Sequence, residues 1–254
     1  MDKKIENKLY KFLDSFEHKD HVVSILVCGS FVTGHPNSHS DLDVHLILDD
    51  KCTFRERGNR IVDGLLIEYF SNTKRQILKY FEEDYSSIRP MSQVQFATGE
   101  ILLDKNGDAL ALKALAKKQL AKNFEDVDTT PFPLGLYGVW DSLDDLQGLL
   151  EDDRADFDFV YYNKLDKLLS FVFWDRKIPY NVKTVIGHIT NPITRQKYLL
   201  EEIKDENFKA LILTSVLGKT RQERFCAYST LAEDLLKKHN FDISTFAFKS
   251  NEDI

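Results

Sequence analysis

Patterns typical of β-strands occur only in the first part of this 254-residue chain, and the rest follows helical spacing. Short apolar or alternating runs predict strands at residues 21–28, 41–48, 61–70 and 100–104, with helices at 5–17 and 74–83 between them. Later apolar residues recur every three or four positions, which predicts helices at 108–122, 134–151, 157–175, 193–204, 207–216 and 220–239. The change predicts an α+β chain with two domains.

We place the boundary between these domains near residue 110. Residues 1–110 are predicted to form a mixed β-sheet with flanking helices. Residues 111–254 are predicted to form an all-helical bundle.

The charge balance excludes one large class of partners. The chain has 34 Lys and Arg against 41 Asp and Glu, a formal net charge of −7. Binding to a long phosphate backbone normally requires a basic surface, so a polymeric nucleic acid is not expected as substrate. The basic run at residues 113–122 has helical spacing and is interpreted as a solvated helix face.

Neither a membrane nor an oxidising compartment is indicated. No apolar run approaches the roughly 18 residues that a membrane-spanning helix requires, and the amino terminus mixes charged residues with apolar ones. Cys28, Cys52 and Cys226 lack the spacing of a zinc site. We therefore expect a cytoplasmic protein with reduced thiols.

Three features of the amino-terminal half point to chemistry on phosphates. Gly29 and Ser30 end the first strand, Asp41 and Asp43 open the second, and Glu68 lies in the third. A glycine at a strand end lets backbone N–H groups approach an anion closely, and a following helix adds a favourable dipole.

The spacing of the acids favours a metal site. Strand side chains alternate, so Asp41 and Asp43 point to one face and their oxygens can converge on one cation. Two carboxylates on an otherwise apolar strand are costly unless a cation neutralises them, which indicates Mg²⁺ or Mn²⁺. Glu68 from a neighbouring strand would complete the site and permit a second ion, an arrangement suited to displacement at phosphorus.

The segment VCGSFVTGHPNSHSDLDVHLIL, residues 27–48, resembles the signature of the DNA polymerase β-like nucleotidyltransferase superfamily. The similarity extends over residues 22–70, in the branch that includes antibiotic nucleotidyltransferases. It implies that residues 1–110 form the catalytic domain and that the helical bundle, residues 111–254, binds the acceptor substrate.

The resemblance also implies roles for individual residues. Gly29, Ser30 and Ser40 would contact the nucleoside triphosphate. Asp41 and Asp43 would bind the metals, and Glu68 would be a further ligand or base. Many members have an arginine just before the second glycine of the motif, whereas Thr33 precedes Gly34 here. A cation for the phosphates must therefore come from elsewhere.

The helical half offers further candidates. Asn163 and Lys167 lie one turn apart on a helix that is apolar on nearly every face, and we assign Lys167 to nucleotide binding. An exposed, solvated position explains them equally well. One of the acids at 141, 144 and 145 is a candidate general base, although charged residues opposite an apolar face are usually just solvated.

The resemblance implies transfer of a nucleoside monophosphate, AMP from ATP, to a hydroxyl of a small molecule, with release of pyrophosphate. Aminoglycoside or lincosamide antibiotics are the acceptors it suggests, and antibiotic resistance the biological role. One alternative is a protein adenylyltransferase of toxin–antitoxin type, but about 140 residues follow the predicted catalytic domain and offer room for an acceptor pocket. The other is a noncatalytic nucleotide-binding module, which the presence of all three acids disfavours.

Overall fold

A computed structural model describes residues 2–249 and divides the chain into two compact units between Val127 and Asp128. The first unit combines a sheet with helices. Its elements are α1 (Lys3–Ser15), a 3₁₀ turn (Lys19–His21), β1 (Val22–Cys28), α2 (Ser30–Thr33), β2 (Leu42–Leu48), β3 (Glu56–Val62), β4 (Leu65–Thr73), α3 (Lys74–Ser86), α4 (Met91–Thr98), β5 (Glu100–Asp104) and α5 (Asp108–Leu120).

The strands of the first unit form one mixed sheet in the order β3-β4-β2-β1-β5. Strands β2 and β4 run parallel, whereas the pairs β1/β2, β1/β5 and β3/β4 are antiparallel. The α+β class predicted from the sequence is confirmed.

Helices cover both faces of this sheet because its central strands are apolar on both sides. On one face the alternate residues of β2, such as Val44 and Leu46, pack with Leu9 and Phe12 of α1. On the other face Ile47 and neighbouring residues pack against α3, α4 and α5. The sheet is therefore the middle layer of the unit, as expected for strands whose two faces both contribute to a core.

One predicted strand is in fact a hairpin. The run at 61–70, read as a single strand, contains the end of β3, a turn at Asp63 and Gly64, and most of β4. Both turn residues have positive φ, 48° and 79°. An Asp-Gly pair readily adopts this conformation and reverses the chain in two residues, so an additional edge strand precedes the turn.

The first compact unit extends beyond the boundary that we expected near residue 110. Helix α5 spans that point and buries Ala109, Leu112 and Ala116 in the core that covers one face of the sheet. A helix whose apolar side is buried in this way belongs with the sheet. The assignment of the second domain to the acceptor substrate stays a prediction.

The second unit is helical throughout the part of the chain that the structure describes. It consists of α6 (Pro133–Glu151), α7 (Phe157–Asp175), α8 (Val185–Thr190), α9 (Pro192–Tyr198), α10 (Glu206–Leu217), α11 (Arg221–Lys238) and a 3₁₀ turn (Ile243–Thr245). Helix α7 contributes the largest share of its core, including Phe157, Tyr161 and Phe173. The helix predicted at 193–204 ends earlier, because Leu199 takes a left-handed conformation with φ 51°.

No helix within residues 2–249 is both long and apolar enough to cross a lipid bilayer.

Candidate active site

Three carboxylates meet where two parallel strands lie side by side. Asp43 of β2 is the register partner of Glu68 in β4, and Asp41 lies just before β2 begins. One carboxylate oxygen from each of the three residues lies within 4.8 Å of the other two. The structure thus brings together the three acids that the sequence singled out.

The alternation of β2 explains why these acids remain accessible. Leu42 and Val44 are buried on the face that α1 covers, so Asp43 points to the opposite face. The next residue on Asp43's side of the strand is His45, which is buried against Phe70 and Phe96. The helical cover therefore ends between positions 43 and 45. Asp43 stands half-buried just beyond it.

The donor chemistry of this cluster fits a hard divalent cation. All three ligands are carboxylates, the type that Mg²⁺ and Mn²⁺ prefer, and they are half-buried, where their mutual repulsion is weakly screened. Cys28 of β1 is the register partner of Asp43. Its thiol therefore lies in the electrostatic field of the carboxylates. Burial raises the pKa of Cys28, and the negative charges of Asp43, Asp41 and Glu68 raise it further, so this thiol stays neutral.

Gly29 is placed directly against one of the acids. Its backbone has φ 78° and ψ −156°, a region that only glycine occupies readily. A Cβ at this position would overlap Oδ2 of Asp43. The carbonyl of Gly29 accepts a hydrogen bond from Thr33 Oγ1 at 3.1 Å. The absence of a side chain at position 29 therefore lets the β1–α2 turn contact the acidic cluster.

The two serines predicted to contact the triphosphate both precede Asp41 in the sequence. Ser30 is buried and opens the four-residue helix α2. Ser40 is half-buried and its Oγ accepts the backbone N–H of Asn37 at 2.8 Å, which closes the loop that leads into Asp41. Their predicted contacts with a nucleotide stay predictions.

Arg57 is a candidate site residue that the sequence did not reveal. From the edge strand β3, its Nε and Nη2 donate to Oε1 of Glu68 at 3.1 and 2.7 Å. Its guanidinium carbon lies 4.8 Å from the centre of the Phe70 ring. The signal that could have located it is the Asp-Gly turn. Pairing outward from that turn places Arg57 opposite Phe70, next to Glu68 on the same face.

The candidate residues of the helical unit lie on helices α6 and α7. Lys167 and Asn163 are exposed on α7. Between them in sequence, Lys164 is largely buried and pairs with Asp145 of α6 at 2.8 Å. The exposure of Lys167 agrees with either interpretation of it, so its assignment to nucleotide binding stays a prediction.

The fold of this chain is similar to that of a solved protein, although its sequence matches no known family. No protein-family model matches the chain, and no curated protein matches it significantly. Among solved structures, a nucleotidyltransferase-like protein from Exiguobacterium sibiricum 255-15 is similar with a TM-score of 0.50. The two sequences are 14% identical over 92% of this chain and 75% of that chain. The chain therefore has the fold of a nucleotidyltransferase-like protein.

Proposed function

We propose that the chain is a divalent-metal-dependent nucleotidyltransferase. The observation that carries the proposal is the convergence of Asp41, Asp43 and Glu68 on one point of the sheet, with Gly29 in contact with Asp43. An all-carboxylate cluster beside a backbone turn without a side chain suits a metal-bound triphosphate. The fold of the solved neighbour agrees with the proposal.

Each residue takes a distinct part in this proposal. Asp41 and Asp43 hold Mg²⁺ or Mn²⁺, and Glu68 either completes the ligand set or accepts the proton of the attacking hydroxyl. The bound ion would neutralise the acids and polarise the phosphate that is attacked. Gly29, Ser30 and Ser40 would contact the triphosphate, and Lys167 would contribute from the helical unit.

We propose AMP, taken from ATP, as the transferred group and a hydroxyl of a small molecule as the acceptor. The second unit, which follows the catalytic elements in sequence, would bind that acceptor. An aminoglycoside or lincosamide antibiotic is the acceptor class that the sequence resemblance favours, and resistance to it the biological role. A fold of this kind hosts many acceptors, so a panel of acceptors tests this part of the proposal directly.

The test measures pyrophosphate release from each of the four nucleoside triphosphates, with Mg²⁺ or with EDTA, across a panel of aminoglycosides and lincosamides. Mass spectrometry of the product identifies the modified hydroxyl. We expect acceptor-dependent release that requires the metal and disappears in Asp43→Asn. Label from ATP appearing on a protein would instead indicate protein adenylylation. Nucleotide binding without turnover on any acceptor would indicate a noncatalytic module.

A further inference from the structure

We propose that Arg57 binds the triphosphate as a cation supplied by the first unit, and that Glu68 holds its guanidinium in place until a metal ion occupies the acidic cluster. This inference rests on the proposed function. It adds a residue on an edge strand that carries no part of the motif resembling known nucleotidyltransferases.

The charge of the site calls for such a cation. Asp41, Asp43 and Glu68 bring three carboxylates together, and a triphosphate adds further negative charge. The two positive charges of one divalent ion cannot balance the negative charges of the carboxylates and the triphosphate. The position before Gly34, where an arginine would help, is Thr33. Arg57 is bonded to one of the three acids, so its positive charge already lies at the cluster.

The contacts of Arg57 make it available for exchange. Both of its donors converge on a single oxygen, Oε1 of Glu68, and its side chain is 69% exposed whereas that of Glu68 is 19% exposed. The Phe70 ring beneath the guanidinium favours a position close to the sheet. The head group can therefore change its hydrogen-bond partner without leaving the site.

A metal ion would compete with Arg57 for the Glu68 carboxylate. An oxygen that ligates a cation is a poorer acceptor for two N–H groups, because both interactions draw on the same lone pairs. Metal binding would thus free the guanidinium fork, whose geometry matches two oxygens of a phosphate. Metal binding would therefore supply the ion and also release the Arg57 guanidinium to bind the triphosphate.

Arg60 provides a charge-matched control on the same strand. It lies three residues further along β3, so it occupies the opposite face. Its guanidinium carbon lies 5.8 Å from the Tyr69 ring, and its Nη1 donates to the carbonyl of Asn59 at 3.0 Å. Removing the charge of Arg60 changes the net charge of the protein as much as removing that of Arg57, but leaves Glu68 untouched.

The experiment measures two affinities in the full chain. Binding of Mn²⁺ alone is followed by the electron paramagnetic resonance of the free ion. Binding of α,β-methylene-ATP with Mg²⁺ is followed by calorimetry. In Arg57→Gln we expect the nucleotide analogue to bind roughly tenfold more weakly or worse. Mn²⁺ alone should bind at least as tightly as in the wild type, because a competing positive charge is gone.

Further variants separate the charge of Arg57 from its shape. Arg57→Lys should recover part of the loss, since it keeps the charge but not the fork. Arg60→Gln should change neither affinity by more than about twofold, a difference smaller than one ordinary hydrogen bond contributes.

Two results would overturn the role of Arg57. Either Arg57→Gln binds the analogue as the wild type does, or it loses affinity for Mn²⁺ and for the analogue by the same factor, as a residue that only supports Glu68 would. Circular dichroism on each variant confirms that it is folded. A wild-type chain that binds neither probe would instead remove the proposed function, and this assignment with it.

Discussion

Gly29 and Asp43 are in such close contact that a side chain on the glycine would occupy the space of the carboxylate oxygen Oδ2. The glycine follows β1 and the aspartate is the second residue of β2, so the contact joins the β1–α2 turn to the acidic cluster. Gly29 is also held at φ 78°. Two independent constraints therefore act on one position.

Gly29→Ala should lower the free energy of unfolding by about 2–3 kcal/mol, because the backbone region is unfavourable for alanine and the added carbon must displace Asp43. It should also abolish metal-dependent nucleotide binding. Gly34→Ala is the control, since Gly34 has φ 82° but open space around it. That variant should lose only about 1–2 kcal/mol and keep binding. Equal losses of binding in the two variants would contradict the importance of the Gly29–Asp43 contact.

Asp41→Asn and Asp43→Asn should leave the fold intact and remove metal-dependent nucleotide binding. Each substitution relieves repulsion within the acidic cluster, so the melting temperature of the metal-free protein should stay the same or rise. Thermal shift with ATP, with and without Mg²⁺, measures both effects. Asp50→Asn, an exposed acid near the opposite end of β2, should behave like the wild type. Retention of Mg²⁺-dependent affinity in either variant would rule out the proposed metal site.

Glu68→Gln should reduce turnover far more than it reduces affinity for ATP. Asp41 and Asp43 can still hold the ion together with the oxygens of the triphosphate, so the nucleotide should bind. Loss of a ligand or base for the attacking hydroxyl is expected to cost roughly 10²- to 10⁴-fold in rate. Steady-state rates on an identified acceptor, beside calorimetry with ATP, give the two numbers. Turnover within about threefold of wild type would exclude Glu68 from the chemistry.

His45 should make the protein less stable as the pH falls below neutrality. Burial holds the pKa of His45 down to about 4, against 6.5 for an exposed imidazole. Between these values the unfolded chain takes up a proton that the folded chain does not. Stability therefore falls as the pH drops from 6.5 to 4, by up to about 1.4 kcal/mol per pH unit for this one group.

Urea unfolding at several pH values would measure this dependence. His45→Gln keeps a polar group beside Gln95 but cannot titrate, so its stability should depend less steeply on pH in the same window. His188, whose pKa is also lowered by burial, remains in both proteins and contributes equally. Identical slopes for the two proteins would show that His45 is not the group responsible.

The acidic cluster was predictable because its signal lies in local patterning. Alternation in the segment 41–48 places Asp41 and Asp43 on one side, and the apolar runs at residues 21–28 and 61–70 indicate partner strands. What the sequence could not supply is the order of those strands. That Asp43 lies beside Glu68 follows from the parallel pairing of β2 with β4, a long-range choice that no local pattern encodes.

The edge strand β3 was missed because it lacks the apolar alternation by which strands are recognised. Its sequence, ERGNRIV, is polar and mostly exposed, since it lies at the edge of the sheet. Such strands are held by the backbone ladder more than by side-chain burial. Arg57 was missed together with the strand that carries it.

Helix α4 was not predicted because it is buried on most of its sides, whereas β3 is mostly exposed. In Met91–Thr98 the buried residues Gln93, Val94, Phe96 and Ala97 fall on several sides, and Gln93 is fully buried. A short helix that is enclosed on most sides shows no amphipathic period. The end of the first unit was likewise hidden, because periodicity shows that α5 has an apolar side but not which surface that side contacts.

The pairing of β2 with β4 determines where changes in chain length are tolerated. Side chains of a strand alternate, so a one-residue slip of β4 along β2 would turn the Glu68 carboxylate to the face packed against α1. An insertion in the loop between β2 and β3 would leave both the acids and the β3–β4 hairpin in register. A longer turn at Asp63 and Gly64 would instead displace Arg57 while leaving Asp43 and Glu68 paired. The acidic cluster and its neighbouring cation can therefore diverge separately through insertions and deletions.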